Sequence, residues 1–170
     1  CSEDEYNILA ESLNKAGEIC NSLGMNLAFH HHMGNYIQNE IEIETMLSKT
    51  DPSSVYLCAD TGHLYFAGVN PITFFEKHLE RIKHIHFKDL RLQVLENINF
   101  QSESFLKSVL KGVFTVPGDG GIDFVTIGNV IKASRYEGWI IVEAEQDPAI
   151  YNPLELAISS KKYLDKIWSN

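Results

Sequence analysis

Apolar residues recur at near-helical spacing at Ile8, Leu9, Leu13, Ala16, Ile19, Cys20 and Leu23, and Gly24 follows them. That pattern predicts an amphipathic helix over residues 5–23 that stops at the glycine. A short apolar run then predicts a strand over 26–32. Ile41, Ile43, Met46 and Leu47 mark a helix over 40–49, closed at Thr50-Asp51-Pro52 because the residue before proline disfavours helix. Further strands are predicted at 55–60, 82–88 and 139–145. Asn70-Pro71 opens a helix to about residue 80, since proline is tolerated in a first turn. Residues 89–117 are less regular, with a helix near 102–110 and Ser102 as its cap. Pro117–Gly121 reads as a loop, Asp123 as the cap of a helix to Ser134, and 153–168 as a closing helix.

Strands separated by helices imply parallel pairing with right-handed crossovers. The fold class is therefore α/β, and no linker divides residues 1–170. Four strands fit a small open doubly wound sheet or half of a (β/α)8 barrel. Both choices put the carboxyl ends of the strands on one face.

Those ends carry the chemistry. The first strand runs into His30-His31-His32, the second into Asp60-Thr61-Gly62-His63, the third into His86 with Lys88, Asp89 and Arg91, and the fourth into Glu143-Ala144-Glu145. Alternation along a strand sends His30 and His32 one way and His31 the other, and it places Glu143 with Glu145. Asp, Glu and His without ligand cysteines suit Mn²⁺, Co²⁺, Mg²⁺ or Zn²⁺ rather than a structural zinc. Each residue also has an ordinary explanation. A strand histidine is commonly a hydrogen-bonded core residue, Asp60 can be a turn former, and Glu143 can pair with Lys88 or Arg91. Four strand ends behaving alike is what favours a site. The glycines at 118–121 lack the Lys-Ser/Thr of a phosphate loop and do not spell GxGxxG, so a turn and a cap account for Asp119 and Asp123. Trp139, Phe29 and Phe87 read as core or barrel-layer residues.

Charge narrows the function. Fourteen basic against 23 acidic residues leave a net −9, which speaks against a nucleic-acid or anionic-membrane partner. Three cysteines in no metal or redox spacing fit a reducing, cytoplasmic compartment, and Cys58 reads as a small buried hydrophobe. No run approaches the roughly 20 apolar residues of a membrane span, and no signal peptide opens the chain.

Five segments together resemble the inosose dehydratase family within the xylose-isomerase-like barrel superfamily of sugar isomerases and epimerases. They are His30–Gly34, Asp60–Gly68, His84–Arg91, Gly112–Gly120 and Gly138–Pro148. The resemblance covers about residues 25–158. It implies a (β/α)8 barrel with one divalent ion, commonly Mn²⁺ or Co²⁺, and in some members glutathione. It implies Asp60, His86 and Glu143 as metal ligands, with Glu145 an alternative to Glu143. The first ligand of the superfamily, usually a glutamate, falls here at Gln38, and His30 or His32 can serve in its place. His63 matches a substrate-contacting histidine, and His30, His32, Lys88 and Arg91 are candidate substrate contacts.

The implied reaction is dehydration of 2-keto-myo-inositol (scyllo-inosose), with Glu145 or Glu143 removing a proton alpha to the ketone and His63 delivering one to the departing hydroxyl. A metal-dependent isomerase or epimerase, or an inert fragment of such an enzyme, are the rival readings. A full barrel needs eight strands and about 250 residues. The expectation is accordingly that this chain is part of a longer enzyme, its two exposed edges covered there or by pairing with another copy.

Overall fold

The second and third apolar runs become the interior strands of a four-stranded sheet, and the first and fourth become its edges. A computed structural model describes residues 1–134 and 136–169. Its principal strands are β1 (Leu27–His30), β2 (Val55–Asp60), β3 (Ile82–Phe87) and β6 (Trp139–Val142). They are parallel and ordered β1-β2-β3-β6. The register levels the strand ends: His30 lies beside Cys58, Asp60 beside His86, and His86 beside Ile141. This is a partial (β/α)8 barrel, and every chemistry-bearing strand end falls on one rim.

The intervening helices are α1 (Glu3–Ser22), α2 (Glu40–Lys49), α3 (Thr61–Phe66), α4 (Pro71–His78), α5 (Leu92–Leu95), α6 (Phe105–Leu110), α7 (Phe124–Ala133) and α8 (Pro153–Trp168). Ser2 with Glu5 and Asn39 with Glu42 form capping boxes that start α1 and α2. Asp123 caps α7 by accepting from the Thr126 N–H at 3.0 Å. The cap of α6 is Ser104, not Ser102. Ser102 instead donates its backbone N–H to the Asn99 carbonyl, in the turn before the helix.

In α1 the buried stripe is Tyr6, Ala10 and Gly17, while Ile8, Ile19 and Leu23 of the expected apolar face are exposed. The reason is close approach. A Cβ at Gly17 would stand 2.5 Å from the Ser54 carbonyl oxygen, so the helix seats its small residues on the β2 entry and turns its isoleucines outward.

The core centres on Phe74, Phe75, Phe87, Phe114 and Phe124, all fully buried, each worth roughly 1.5–3 kcal/mol of burial. Trp139 differs from the sequence expectation: it is 74% exposed, because β6 is an edge strand with β3 on one side only. Between β3 and α7 lies a feature the apolar pattern does not announce, an antiparallel pair of two-residue strands, β4 (Asp89–Leu90) and β5 (Phe114–Thr115). Among the described residues no helix is long and apolar enough to cross a membrane.

Candidate metal centre and acid–base site

Asp60 closes β2 and caps α3 at once. Its Oδ1 accepts from the His63 N–H at 2.9 Å, which leaves Oδ2 aimed at the rim. His30 Nε2 and His86 Nδ1 each stand 3.6 Å from that oxygen, and His86 Nδ1 is 2.9 Å from Glu143 Oε2. These four atoms lie within 4.8 Å of one another. All four are buried, and none makes a hydrogen bond of proper geometry.

Orphaned buried polar atoms are costly, and four aimed at one point call for a common partner. Atoms sharing one ion at about 2.1 Å stand roughly 3.0–3.5 Å apart. Two imidazole nitrogens and two carboxylate oxygens suit Mn²⁺, Co²⁺ or Zn²⁺, so the residues fit a single divalent ion.

The electrostatics agree with a set built for a cation. Burial alone would raise the Asp60 pKa, but the rings of His30 and His86 and the Lys88 ammonium hold it well below the usual carboxylate range. Asp60 foremost, then Cys58 and Glu143, push the His86 pKa up to about 11. The His86 ring lowers the Glu143 pKa. In the absence of an ion, a ring proton is therefore held where positive charge is wanted.

A second group adjoins the first. His32, His63 and Glu145 bring one nitrogen or oxygen each within 4.8 Å of the others. The His32 and His63 rings lie 3.8 Å apart, and Phe105 and Phe114 pack on His63. Burial lowers the His63 pKa to about 2, so this ring is neutral.

Between the two groups sits Lys88, whose side chain is fully buried. Its Nζ is 3.0 Å from His63 Nε2, 3.2 Å from Glu145, 3.3 Å from Glu143 and 3.5 Å from Asp60. Burial pulls the lysine pKa down, and the three carboxylates outweigh it, so the net direction is upward. The Lys88 backbone is clamped by Thr61, whose Oγ1 accepts from its N–H at 3.0 Å and donates to its carbonyl at 2.8 Å.

The remaining residues singled out by sequence divide. Glu143 stands with the quartet and Glu145 with the histidine pair, which separates two glutamates that alternation alone could not. His31 is buried behind the sheet, accepting from the Asp60 N–H at 3.2 Å, and burial lowers its pKa to about 3. Gln38 is not in the cluster. Its carboxamide donates to the Asn35 carbonyl, and its backbone N–H is held by Glu42 at 2.7 Å, so the α2 capping arrangement turns it away, and His30 takes the fourth position.

Arg91 is likewise committed elsewhere. It donates to the carbonyls of Gly112 and Phe114, to Thr115 Oγ1 and to Asp119, and it stacks on Tyr151 at 4.3 Å. Its guanidinium fastens the β4–β5 pair rather than lining the site. Asp89 fastens the other side, accepting the N–H groups of Leu90, Gly118, Gly120 and Ile122. Sequence reasoning missed Phe114, Phe105 and Thr61. Only Thr61 carried a signal, its place directly after Asp60.

A family model described as xylose isomerase-like TIM barrel matches residues 1–167. The inosose dehydratase of Clostridium beijerinckii is 50% identical over 163 residues, covering 96% of this chain and 55% of that protein. That of Salmonella typhimurium is 47% identical, covering 99% and 56%. The chain thus spans about half the length of the curated relatives it matches. Among solved structures, an L-ribulose 3-epimerase superposes with a TM-score of 0.72 at 15% identity, covering 98% of this chain and 55% of that one. The IOLI protein, solved with a zinc atom, superposes at 0.69 and 17% identity, covering 93% and 54%. Those two likenesses concern the fold. With four parallel strands delivering His30, Asp60, His86 and Glu143 to one rim, and the family model running nearly end to end, the chain belongs to the xylose isomerase-like TIM barrel family.

Proposed function

We propose that this chain carries the metal centre and acid–base groups of an inosose dehydratase, which removes water from 2-keto-myo-inositol. The observation that carries the reading is the convergence of four buried, orphaned ligand atoms beside a carboxylate that is not among them. His30, Asp60, His86 and Glu143 would hold one divalent ion, with Mn²⁺ or Co²⁺ as the expected metals. Such an ion, when bound, polarises a carbonyl and steadies negative charge developing on its oxygen.

The chain's own groups supply the proton handling. Glu145, outside the quartet and partly exposed, takes the proton alpha to the ketone. Lys88 orients that carboxylate through their 3.2 Å contact. His63 is neutral, with Nε2 facing Lys88 at 3.0 Å and Nδ1 facing the Met33 N–H at 3.4 Å, so it positions the Lys88 ammonium, which delivers the proton to the departing hydroxyl and regains one from Glu145 through their contact. His32 stacks on His63 and excludes water from that side. The relatives at 44–50% identity that carry the inosose dehydratase name support the substrate, and the acidic surface agrees with a small neutral polyol rather than a polyanion.

The test is product analysis. The chain, joined to the remaining segment of the Clostridium beijerinckii enzyme and loaded with Mn²⁺, is incubated with 2-keto-myo-inositol. Loss of one water per turnover supports the reading. An epimerised keto-inositol without loss of water would make the site an epimerase instead.

A further inference from the structure

The quartet and the His32–His63–Glu145 group differ in one respect that bears on how many ions this rim can hold. Both present nitrogen and oxygen donors within 4.8 Å of one another. The quartet's four atoms make no hydrogen bond, and Lys88 reaches only the outer side of two of them, Glu143 at 3.3 Å and Asp60 at 3.5 Å. In the second group His63 and Glu145 already hydrogen-bond a cation, the Lys88 ammonium, at 3.0 and 3.2 Å, and His32 Nδ1 stands 2.7 Å from the Met33 carbonyl oxygen. We propose that Lys88 is a built-in second cation, which occupies what would otherwise be a second metal site formed by His32, His63 and Glu145, and so confines the centre to one ion.

The position is constructed for that purpose. A Cβ at residue 62 would approach the Lys88 stem to 2.6 Å, so Gly62 leaves the channel through which the stem reaches the rim. The Phe114 ring lies under the ammonium at 5.2 Å, favourable to a cation and closed to water. Thr61 holds the backbone from both sides.

Charge closes the argument. Asp60, Glu143 and Glu145 carry three negative charges, which one divalent ion and one ammonium neutralise. A second divalent ion beside the ammonium would leave two excess positive charges in a site with little water to screen them. With Lys88 gone, one ion leaves a net negative charge and a vacated pocket with three donors.

The inference rests on the metal reading above, and the experiment separates the two. Mn²⁺ and Zn²⁺ are titrated into the wild-type chain, Lys88→Ala and Lys88→Ala combined with Glu145→Ala. Bound metal is counted by elemental analysis after desalting, with folding checked by circular dichroism. One ion in the wild type, two in Lys88→Ala and one again in the double variant is the expected result. Two ions in the wild type, or one ion in a folded Lys88→Ala variant, overturns the proposal while leaving the quartet intact. No ion in the folded wild type overturns the metal reading itself. Should Lys88→Ala not fold, Lys88→Leu retains the inner stem against Gly62, leaves the place of the ammonium empty and carries the same prediction of a second ion.

Discussion

Two groups of nearly the same composition sit side by side on one rim, and they are finished differently. His30, Asp60, His86 and Glu143 leave four buried atoms without hydrogen bonds. His63 and Glu145 are satisfied by a lysine that the fold takes trouble to bury, and His32 by the Met33 carbonyl. The contrast teaches that residue type does not mark a metal site. What marks it is unspent donor capacity in a place that water does not reach, and a neighbouring ammonium is enough to spend it.

The largest effect separating the two groups is expected at Asp60. Asp60→Asn keeps an N-cap for α3 but removes the only fully buried carboxylate of the quartet. Ion affinity should fall by about 100-fold or more, beyond what loss of a supporting residue costs, with helix α3 retained by circular dichroism. Unchanged affinity in Asp60→Asn would erase the distinction between the groups.

The glutamates sharpen it next. Glu143→Gln is expected to cost about 10- to 100-fold in ion affinity, and Glu145→Gln less than about 3-fold while sharply reducing turnover. Parallel calorimetry and turnover assays on the two variants check the assignment, and reversed effects would exchange the two residues' roles.

A smaller, pH-dependent effect comes from the neutral histidines behind and within the groups. His31 and His63 have pKa values lowered by burial to about 3 and about 2, whereas an unfolded histidine protonates near 6.5. Below that value the unfolded chain binds more protons than the folded one. Stability of the ion-free protein should therefore be intact above about pH 6.5 and fall as the pH drops toward 3, by on the order of 1.4 kcal/mol per pH unit for each ring. Urea titrations between pH 7 and 5 measure this slope, and His31→Gln, which can still accept from the Asp60 N–H, should reduce it.

The smallest effect is expected from Arg91→Lys. Lysine cannot reproduce the forked contacts to Gly112, Phe114, Thr115 and Asp119, so stability should fall by about 1–2 kcal/mol. Because β5 supports Phe114 beneath Lys88 and not the quartet, ion affinity should stay within about 3-fold. A large loss of affinity in this variant would show that the hairpin holds both groups.

Much of this rim is legible in the sequence, for a physical reason. Strand side chains alternate and parallel strands start level, so an apolar run followed by His, Asp or Glu places that residue on the rim without knowledge of tertiary contacts. Asp60, His86 and the parity of His30, His31 and His32 follow from that alone. Gln38 and Arg91 are different. Each lies beyond a strand end, where partners far along the chain decide orientation: Glu42 and Asn35 for one, the Gly112–Asp119 segment for the other. The β4–β5 pair is invisible for the same reason. Two-residue strands have no periodicity, and it is the hydrogen bonds of Asp89 and Arg91 that hold their loops. Trp139 shows the limit of hydropathy, since its apolar strand lies at the edge of the sheet and stays exposed.

The most direct measurement is Mn²⁺ binding to this chain by calorimetry in two buffers of different ionisation enthalpy. His86, with its pKa pushed up to about 11, holds a ring proton that an ion must displace. One ion per chain, with close to one proton released, is the predicted result. A folded chain that binds no ion, or one that binds an ion without releasing a proton, would contradict a centre built from His30, Asp60, His86 and Glu143.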